Sequence, residues 1–191
     1  MTDTTAQPPR ALPENVAPPE LIEVDELHLR RYTLANVEEL QEAIKSSYAE
    51  IHQWMPWCVD PVRIEEQREF VERADRNWAS STAFNFGIFD ADGTLIGAAS
   101  LMDRIGPGGL EIGYWLRTTA TGRGVMTRAV ARLTELGLGL PGIERIEIHC
   151  DVANVRSAGV PERLGFRLDR TEDTRKETPG ETGRGLVWIT P

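Results

Sequence analysis

A glycine pair, Gly122 and Gly124, stands between a predicted strand and a predicted helix, in a layout that can bind an anion. Glycine at both positions allows a positive φ and lets a ligand approach the main chain closely. The first N–H groups of the following helix have no partner within it, and the helix dipole adds partial positive charge at the same place. The layout therefore predicts a binding site for phosphate.

The elements on either side of the glycines follow from hydrophobic periodicity. Ile112, Tyr114 and Leu116 alternate at strand spacing, and the strand is expected to end at Thr118 or Thr119. The residues after the glycines repeat at helical spacing. The inner face of that helix is expected to consist of Val125, Ala129, Val130 and Leu133.

The residues around the glycines narrow the choice of phosphate site. A P-loop needs Gly-Lys before Ser or Thr, and the only lysines, Lys45 and Lys176, follow Ile and Arg. A dinucleotide fingerprint needs a third small residue three positions after Gly124, where Thr127 stands. The P-loop is therefore excluded and the dinucleotide site is weakened. This segment alone leaves open a strand-to-helix turn without a ligand.

A second polar segment follows a predicted strand over Glu144 to Cys150. Asn154 is placed to cap a helix, with Ser157 at the third helical position. Pro161 comes four residues after Ser157 and has no N–H for the Ser157 carbonyl, so we expect the helix to bend and free that carbonyl. The segment then reads Glu-Arg-Leu-Gly-Phe over 162–166.

In order and spacing, the glycine loop and the Asn154 segment resemble the GNAT superfamily of acyl-CoA-dependent N-acetyltransferases, over roughly Leu21 to Thr190. The family loop, Gln/Arg-x-x-Gly-x-Gly/Ala, holds the pyrophosphate of coenzyme A. Here Thr121 and Met126 stand at two of its positions. The sequences Glu-Ile-Gly-Tyr-Trp-Leu over 111–116 and Trp-Met-Pro-Trp over 54–57 are most similar to the RimJ/RimL-type branch, whose members acetylate the N termini of ribosomal proteins.

The resemblance implies that acetyl-CoA is the co-substrate and that three segments contact it: the end of a strand, the glycine loop and the start of a helix. The strand is expected to splay from its parallel neighbour, so that a backbone N–H over 115–117 meets the thioester carbonyl. Arg128 lies near the expected phosphates as well. The expected coenzyme contacts are Trp115, Leu116, Arg117, Thr121, Gly122, Arg123, Gly124, Val125, Met126, Thr127, Asn154 and Arg156.

Acetyl transfer from a thioester to an amine needs a base for the amine and a proton for the leaving thiolate. By resemblance, Glu111 matches the catalytic glutamate of some members, whereas the RimL-like branch points to a C-terminal glutamate, here Glu177 or Glu172. Each can equally be a solvated surface residue. Ser157 occupies the family position from which a hydroxyl protonates the thiolate. His149 could assist proton transfer.

Three aromatic residues, Tyr48, Trp54 and Trp57, lie at the end of a predicted helix. They can wall an acceptor pocket or belong to the core. The two cysteines, Cys58 and Cys150, are too few for a disulfide framework and are expected to be small buried hydrophobes. Neither Cys nor His has metal-ligand spacing, so no metal site is expected.

The composition limits the classes of molecule that the protein can be expected to bind. A net charge of −9 argues against nucleic acid and suits a cationic acceptor such as an amine. No stretch is apolar enough to span a membrane, and the absence of an export signal predicts a cytoplasmic protein. Residues 1–20 are rich in Thr, Ala and Pro and are expected to form a flexible tail, followed by a single domain over 21–191. That domain is expected to act alone or as a homodimer.

The fold class predicted for this domain is α/β, a GNAT-like mixed sheet that is mostly antiparallel and flanked by helices. One right-handed parallel βαβ crossover is expected over 110–150. The first strand is expected over 21–32, and Asn36 with Glu39 predicts a capping box for the first helix. A second helix follows Asp60-Pro61, and a long loop over 172–183 joins the last two strands.

The leading function is transfer of an acetyl group from acetyl-CoA to the N-terminal amine of a protein or peptide. One alternative acceptor is a small amine, such as a polyamine or an amino-sugar antibiotic. A third hypothesis is a coenzyme-A-binding sensor without turnover, which Thr121 and Met126 motivate because both depart from the family loop.

Overall fold

The computed structural model describes residues 9–191, which form one eight-stranded mixed sheet with helices packed against it. The strand order is β1-β2-β3-β4-β5-β6-β8-β7, and every neighbouring pair is antiparallel except β5 with β6. The predicted fold class is confirmed. The strands are β1 (Leu21–Val24), β2 (Leu27–Arg31), β3 (Ala83–Phe89), β4 (Leu95–Met102), β5 (Gly109–Leu116), β6 (Arg145–Asp151), β7 (Arg167–Asp173) and β8 (Arg184–Ile189). The helices are α1 (Val37–Lys45), α2 (Tyr48–Ile51), α3 (Ile64–Ala79), α4 (Val125–Leu138) and α5 (Val155–Arg163).

The core consists of two hydrophobic clusters that share the central strands. Successive residues of a strand point to opposite faces. On β4, Ala98 belongs to the cluster with α1, and Ala99 belongs to the cluster with α4. On β5, Ile112 packs in the α4 cluster, whereas Trp115 packs against the other. The two faces of β5 therefore meet different surroundings.

The opening segment is a hairpin rather than the single strand expected over 21–32. Asp25 has φ 53 at the turn, and β1 pairs antiparallel with β2. The predicted capping box is also wrong. Asn36 Oδ1 accepts the Thr33 N–H at 3.0 Å, and Glu39 instead accepts the Leu95 N–H at 2.6 Å. The hairpin forms because the chain turns at Asp25, and the capping box is absent because the Leu95 N–H takes the Glu39 carboxylate.

The segment before β1 packs against the domain, which corrects the end of the tail expected over 1–20. Residues 1–8 of that range lie outside the described residues. The Asp103 carboxylate accepts hydrogen bonds from Ala11 N–H at 2.8 Å and Leu12 N–H at 3.0 Å. The Leu12 side chain is 4% exposed and belongs to the α4 cluster. The packed part of the chain therefore begins well before Leu21.

We expect Leu12→Ala to lower the free energy of unfolding by about 2–3 kcal/mol, because truncating a buried leucine leaves a cavity. A residue in a flexible tail would change it by almost nothing. Chemical denaturation of the full chain measures the difference, and Glu14→Ala is the matched control because Glu14 is exposed two residues away. Equal stability of the two variants would contradict the packing of this segment.

The β7–β8 connection is shorter than expected, since β7 continues to Asp173 and the loop covers 174–183. Glu172 therefore lies on β7. None of the helices within 9–191 is both long and apolar enough to cross a membrane.

Candidate active site

A gap opens between β5 and β6 where their parallel pairing ends. The pairing covers three residue pairs, from Gly109 with Arg145 to Glu111 with Glu147. Beyond them β5 remains paired with β4 and β6 remains paired with β8, but β5 and β6 no longer pair with each other. This is the splay that the family resemblance implied. It leaves main-chain groups on the β6 side of β5 free for a ligand.

The alternation of hydrogen bonds identifies which groups of β5 face the gap. The Arg117 N–H donates to the Ile96 carbonyl of the β4 side at 2.8 Å. In an antiparallel pair, every second residue bonds to the same neighbour, so Trp115 also turns its N–H toward β4. Of the three residues expected to offer an N–H, only Leu116 directs its N–H into the gap. The Tyr114 N–H, two residues earlier on β5, points the same way.

The glycine loop has the backbone that the sequence predicts. Gly122 has φ 76 and Gly124 has φ 72, and α4 begins directly after them at Val125. A Cβ added to either glycine would meet no atom within 4 Å, so these glycines are required by their φ, and the space beside them is open. Among the described residues, no partner accepts a hydrogen bond from the backbone N–H groups of 122–127. The loop is therefore a cradle of free N–H groups at a helix N-terminus.

A groove of about 310 Å³ runs from this loop toward the β1–β2 turn. The three arginines at the groove differ in how they are held. Arg117 is paired with Glu42 and donates to the Leu95 carbonyl at 2.7 Å. Arg128 is paired with Asp25 at 3.2 Å and Glu26 at 2.9 Å. Arg123 is exposed and forms no ion pair with any described residue, so its charge is the one available to a phosphate.

Gly124→Ala tests the cradle. A left-handed backbone costs a residue with a Cβ roughly 1–2 kcal/mol, so we expect the loop to shift and the affinity for coenzyme A to fall about tenfold. Calorimetric titration measures the affinity. Gly142→Ala is the matched control, because Gly142 has φ 79 with ordinary contacts and lies beyond the other end of α4. An equal loss of affinity in both variants would show that the effect is general strain.

Ser157 lies on α5 and is bound by residues on both sides of the gap. Asn154 Oδ1 caps α5 by accepting the Ser157 N–H at 3.1 Å, as predicted. Pro161 is inside α5, and the Ser157 carbonyl accepts a hydrogen bond from the Tyr114 hydroxyl at 3.0 Å. The Ser157 hydroxyl in turn lies 3.2 Å from the Tyr114 oxygen. The carbonyl freed by Pro161 therefore ties α5 to β5.

Cys150 lies beside this pair on β6. Burial raises the pKa of its thiol to about 11, although hydrogen bonds with Ser157 and Trp188 act in the opposite direction. Burial also raises the pKa of Tyr114 above its ordinary value. Both groups are therefore protonated at neutral pH. They form a polar but uncharged wall with Ser157 on the α5 side of the gap.

Glu111 lies on the other face of the sheet and is engaged by Arg104. Its side chain is 8% exposed, and its two carboxylate oxygens accept from the Arg104 guanidinium, one of them at 2.8 Å. The hydrogen bonds to Glu111 and the attraction of its charge raise the pKa of Arg104, although partial burial acts in the opposite direction. The sequence did not predict Arg104, although an arginine at the end of the preceding strand is close to Glu111 in any β4–β5 hairpin.

Glu147 is the register partner of Glu111 and is also buried, with a side chain 5% exposed. It accepts from Arg145 Nε at 2.7 Å and contacts His149 Nε2 at 2.8 Å. Burial acts to raise the pKa of Glu147, but the hydrogen bonds from Arg145 and His149 outweigh it and lower the pKa below its ordinary value. The sequence indicates a possible proton-transfer role for His149 but gives no signal for its partner Glu147.

The loop over 174–183 closes onto the end of α2. Thr178 Oγ1 donates to the Gln53 carbonyl at 2.7 Å, and the Gly180 N–H donates to the same oxygen at 3.0 Å. Glu177 is exposed on this loop, and its backbone N–H donates to Glu181.

Of the three aromatic residues expected near the acceptor, Trp57 lies beside a residue of β5. Trp57 is 49% exposed, and its ring centroid lies 6.3 Å from that of Trp115. Tyr48 stacks on His52, with centroids 5.0 Å apart. Trp54 contacts the 174–183 loop at Gly180. Arg156 is exposed on α5.

Comparisons with known proteins agree with this geometry. The family model described as "Acetyltransferase (GNAT) domain" matches residues 26–167. YdaF of Bacillus subtilis (strain 168), named as a ribosomal N-acetyltransferase, is 29% identical over 134 residues, which cover 69% of this chain and 72% of that protein. The microcin C7 self-immunity acetyltransferase MccE, solved with acetyl-CoA and AMP, has a TM-score of 0.81 at 25% identity, covering 90% of this chain and 96% of that one. The ribosomal L7/L12 acetyltransferase RimL, solved with coenzyme A, has a TM-score of 0.79 at 24% identity, covering 90% and 97%.

Proposed function

Because the chain belongs to the acetyltransferase (GNAT) domain family, we propose that it transfers an acetyl group from acetyl-CoA to the N-terminal amine of a protein or peptide. The chain is an acetyl-CoA-dependent acyltransferase. The observation that carries the proposal is the gap between β5 and β6, which ends at the free N–H groups of the glycine loop. Such a layout can bind the extended arm of coenzyme A and its phosphates together.

The described residues fit coenzyme A at both ends. The N–H groups of 122–127 and the Arg123 guanidinium offer donors and charge to a pyrophosphate. The free main-chain groups of Tyr114 and Leu116 offer strand-like hydrogen bonds to an amide-containing arm. When bound, acetyl-CoA supplies the activated acetyl group as a thioester.

Ser157 is the group that we assign to the leaving sulfur. Its hydroxyl is held at the gap by Tyr114 and by the cap from Asn154. Turning this O–H from the Tyr114 oxygen to the sulfur would protonate the departing thiolate, and water would restore the proton on Ser157. The Leu116 N–H, fixed by the β4–β5 pairing, supports the carbonyl oxygen as its charge grows.

The two carboxylates expected to act as the base, Glu111 and Glu177, remain predictions. Glu111 is bound at both oxygens by Arg104, whereas Glu177 is exposed on the loop that contacts Gln53. Glu111→Gln and Glu177→Gln, assayed between pH 6 and 9, separate the two. If either carboxylate is the base, its change removes the rise of rate with pH.

The proposed acceptor class rests on the relatives and on the acceptor side of the gap. YdaF and RimL carry the names of ribosomal acetyltransferases, and a net charge of −9 attracts a cationic acceptor such as a protonated N-terminal amine. The exposed face of Trp57 beside Trp115 offers an apolar wall to the first side chain of a peptide.

Thiol release from acetyl-CoA, measured with peptides and small amines, tests the proposal. We expect turnover with peptides that have a free N terminus and none with their N-acetylated forms. Turnover restricted to polyamines or amino sugars would show that the acceptor is a small amine and not a peptide. Tight coenzyme binding without turnover on any amine would indicate a sensor.

A further inference from the structure

We propose that His149 accepts the proton of the acceptor amine and that Glu147 holds the imidazole in position for it. The inference rests on the acetyl transfer proposed above and deepens it, since it assigns the base on the acceptor side. It also makes His149, rather than Glu111, the residue that sets the pH dependence.

The position of His149 follows from strand register. Glu147 is the last residue of β6 paired with β5, so His149, two residues later, lies on the part of β6 that has left β5. Because side chains alternate, His149 shares a face with Glu147 and Glu111, whereas Cys150 points to the α5 side with Ser157 and Tyr114. The gap therefore has a hydroxyl wall on one face and an imidazole on the other.

The hydrogen bond to Glu147 fixes how the imidazole can act. Glu147 is ionised and buried, so His149 Nε2, at 2.8 Å, is the nitrogen that donates its N–H. In the neutral ring the lone pair is then on Nδ1, for which none of the described residues is a hydrogen-bond partner. With a side chain 30% exposed, His149 can present Nδ1 to an incoming amine.

The charged groups around His149 support this arrangement. From β7, Arg170 Nη2 lies 3.9 Å from Glu147, and Arg170 is itself paired with Glu172 and Asp169. From β8 the register partner of His149 is Val187, which adds no charge. From β5, Glu111 is neutralised by Arg104.

The proton transfer completes the reaction as follows. The amine nitrogen forms a bond to the acetyl carbon, the carbon–sulfur bond breaks, and its electron pair leaves with the sulfur. The proton that the nitrogen must lose passes to His149 Nδ1 and then to solvent. Ser157, on the opposite face, supplies the proton that the sulfur takes. Acid and base thus lie on opposite sides of the reacting carbon.

Glu111 is less suited to this role. Both of its carboxylate oxygens accept hydrogen bonds from Arg104. Glu111 is also only 6% exposed and belongs to the last residue pair of the β5–β6 ladder. His149 lies beyond that ladder, where the strands have separated.

Kinetics and NMR spectroscopy together test the assignment. We expect His149→Gln to lower kcat/KM about 100-fold at neutral pH and to abolish its rise with pH, while the affinity for acetyl-CoA in calorimetry stays within twofold. His28→Gln is the matched control, because His28 lies on β2 away from the gap, and its kcat/KM and pH profile should equal those of the wild type. Glu111→Gln should keep the pH profile.

The second readout does not depend on activity. Long-range ¹H–¹⁵N spectra of the imidazoles, assigned by the signal that His149→Gln removes, should show a protonated Nε2 and an unprotonated Nδ1. In Glu147→Gln this preference should be lost. The opposite tautomer in the wild type would overturn the proposal.

The outcomes separate this inference from the proposed function. An active wild type whose rate and pH profile survive in His149→Gln contradicts the role of His149 alone, and a loss of the pH profile in Glu111→Gln instead assigns the base to Glu111. A wild type that binds acetyl-CoA but transfers to no amine contradicts the proposed function and this role with it.

Discussion

Replacing Ser157 with alanine is expected to lower kcat about 100-fold or more, with little change in KM for acetyl-CoA. A positioned proton donor contributes about 10²- to 10⁴-fold to a rate. Without such a donor, the leaving thiolate must take its proton from water. The hydroxyl lies 3.2 Å from the Tyr114 oxygen at the α5 side of the gap. Initial rates of thiol release at saturating peptide measure kcat directly.

Two control variants separate chemistry from packing in this experiment. Tyr114→Phe keeps the Ser157 hydroxyl but leaves the Ser157 carbonyl without its donor, so we expect a loss of about 1–3 kcal/mol in the free energy of unfolding. Its kcat should fall less than that of Ser157→Ala. Ser80→Ala removes a hydroxyl at the end of α3 and should change neither quantity. If Ser157→Ala raised KM while kcat stayed constant, Ser157 would be a binding residue rather than the acid.

The coenzyme half of the site could be predicted from the sequence because its determinants are local. A positive φ at Gly122 and Gly124 and a helix start at Val125 follow from a few adjacent residues. Pro161 likewise predicts a free carbonyl at Ser157. The donor to this carbonyl is the Tyr114 hydroxyl, 43 positions away in the sequence. This contact depends on how β5 approaches α5, which no local rule specifies.

The acceptor half depends on contacts between distant segments. The pairs Arg104–Glu111 and Glu147–His149 are themselves local, but they face each other across the end of the β5–β6 pairing, and the register of those two strands is a property of the whole sheet. The spacing at Asn36 and Glu39 predicts a capping box, but the Leu95 N–H of β4 takes the Glu39 carboxylate. Side chains with two competing partners are those that sequence reasoning assigns least well.

Replacing Asp151 with alanine is expected to lower the free energy of unfolding by roughly 3–5 kcal/mol. Asp151 is 9% exposed at the end of β6. It accepts hydrogen bonds from Ala153 N–H at 2.9 Å, Thr182 N–H at 2.8 Å, Thr182 Oγ1 at 3.0 Å and Gly183 N–H at 3.2 Å. Hydrogen bonds to a charged group contribute about 1.5–3 kcal/mol each, and their sum is reduced because the freed donors partly rebind water.

The same carboxylate links two parts of the site, so its loss should also affect turnover. Asp151 joins the turn before α5, which positions Ser157, to the end of the 174–183 loop, which contacts Gln53. We expect kcat/KM to fall in Asp151→Ala even at temperatures where the variant is fully folded. Thr174→Ala offers a control in the same loop, because the Thr174 side chain is exposed and forms none of the hydrogen bonds to Asp151.

The pH dependence of stability provides an independent check on Asp151. Burial acts to raise the pKa of this carboxyl, but the hydrogen bonds from Ala153, Thr182 and Gly183 outweigh it and lower the pKa below its ordinary value. A group whose pKa is lowered on folding stabilises the fold fully above its unfolded pKa, about 3.9, and this stabilisation is lost as the pH falls through the folded pKa. The difference in unfolding free energy between wild type and Asp151→Asn should therefore be constant from pH 7 to about pH 5 and should shrink below about pH 4. A difference that stays constant down to pH 2 would mean that the charge of Asp151 does not contribute to the stability of the fold.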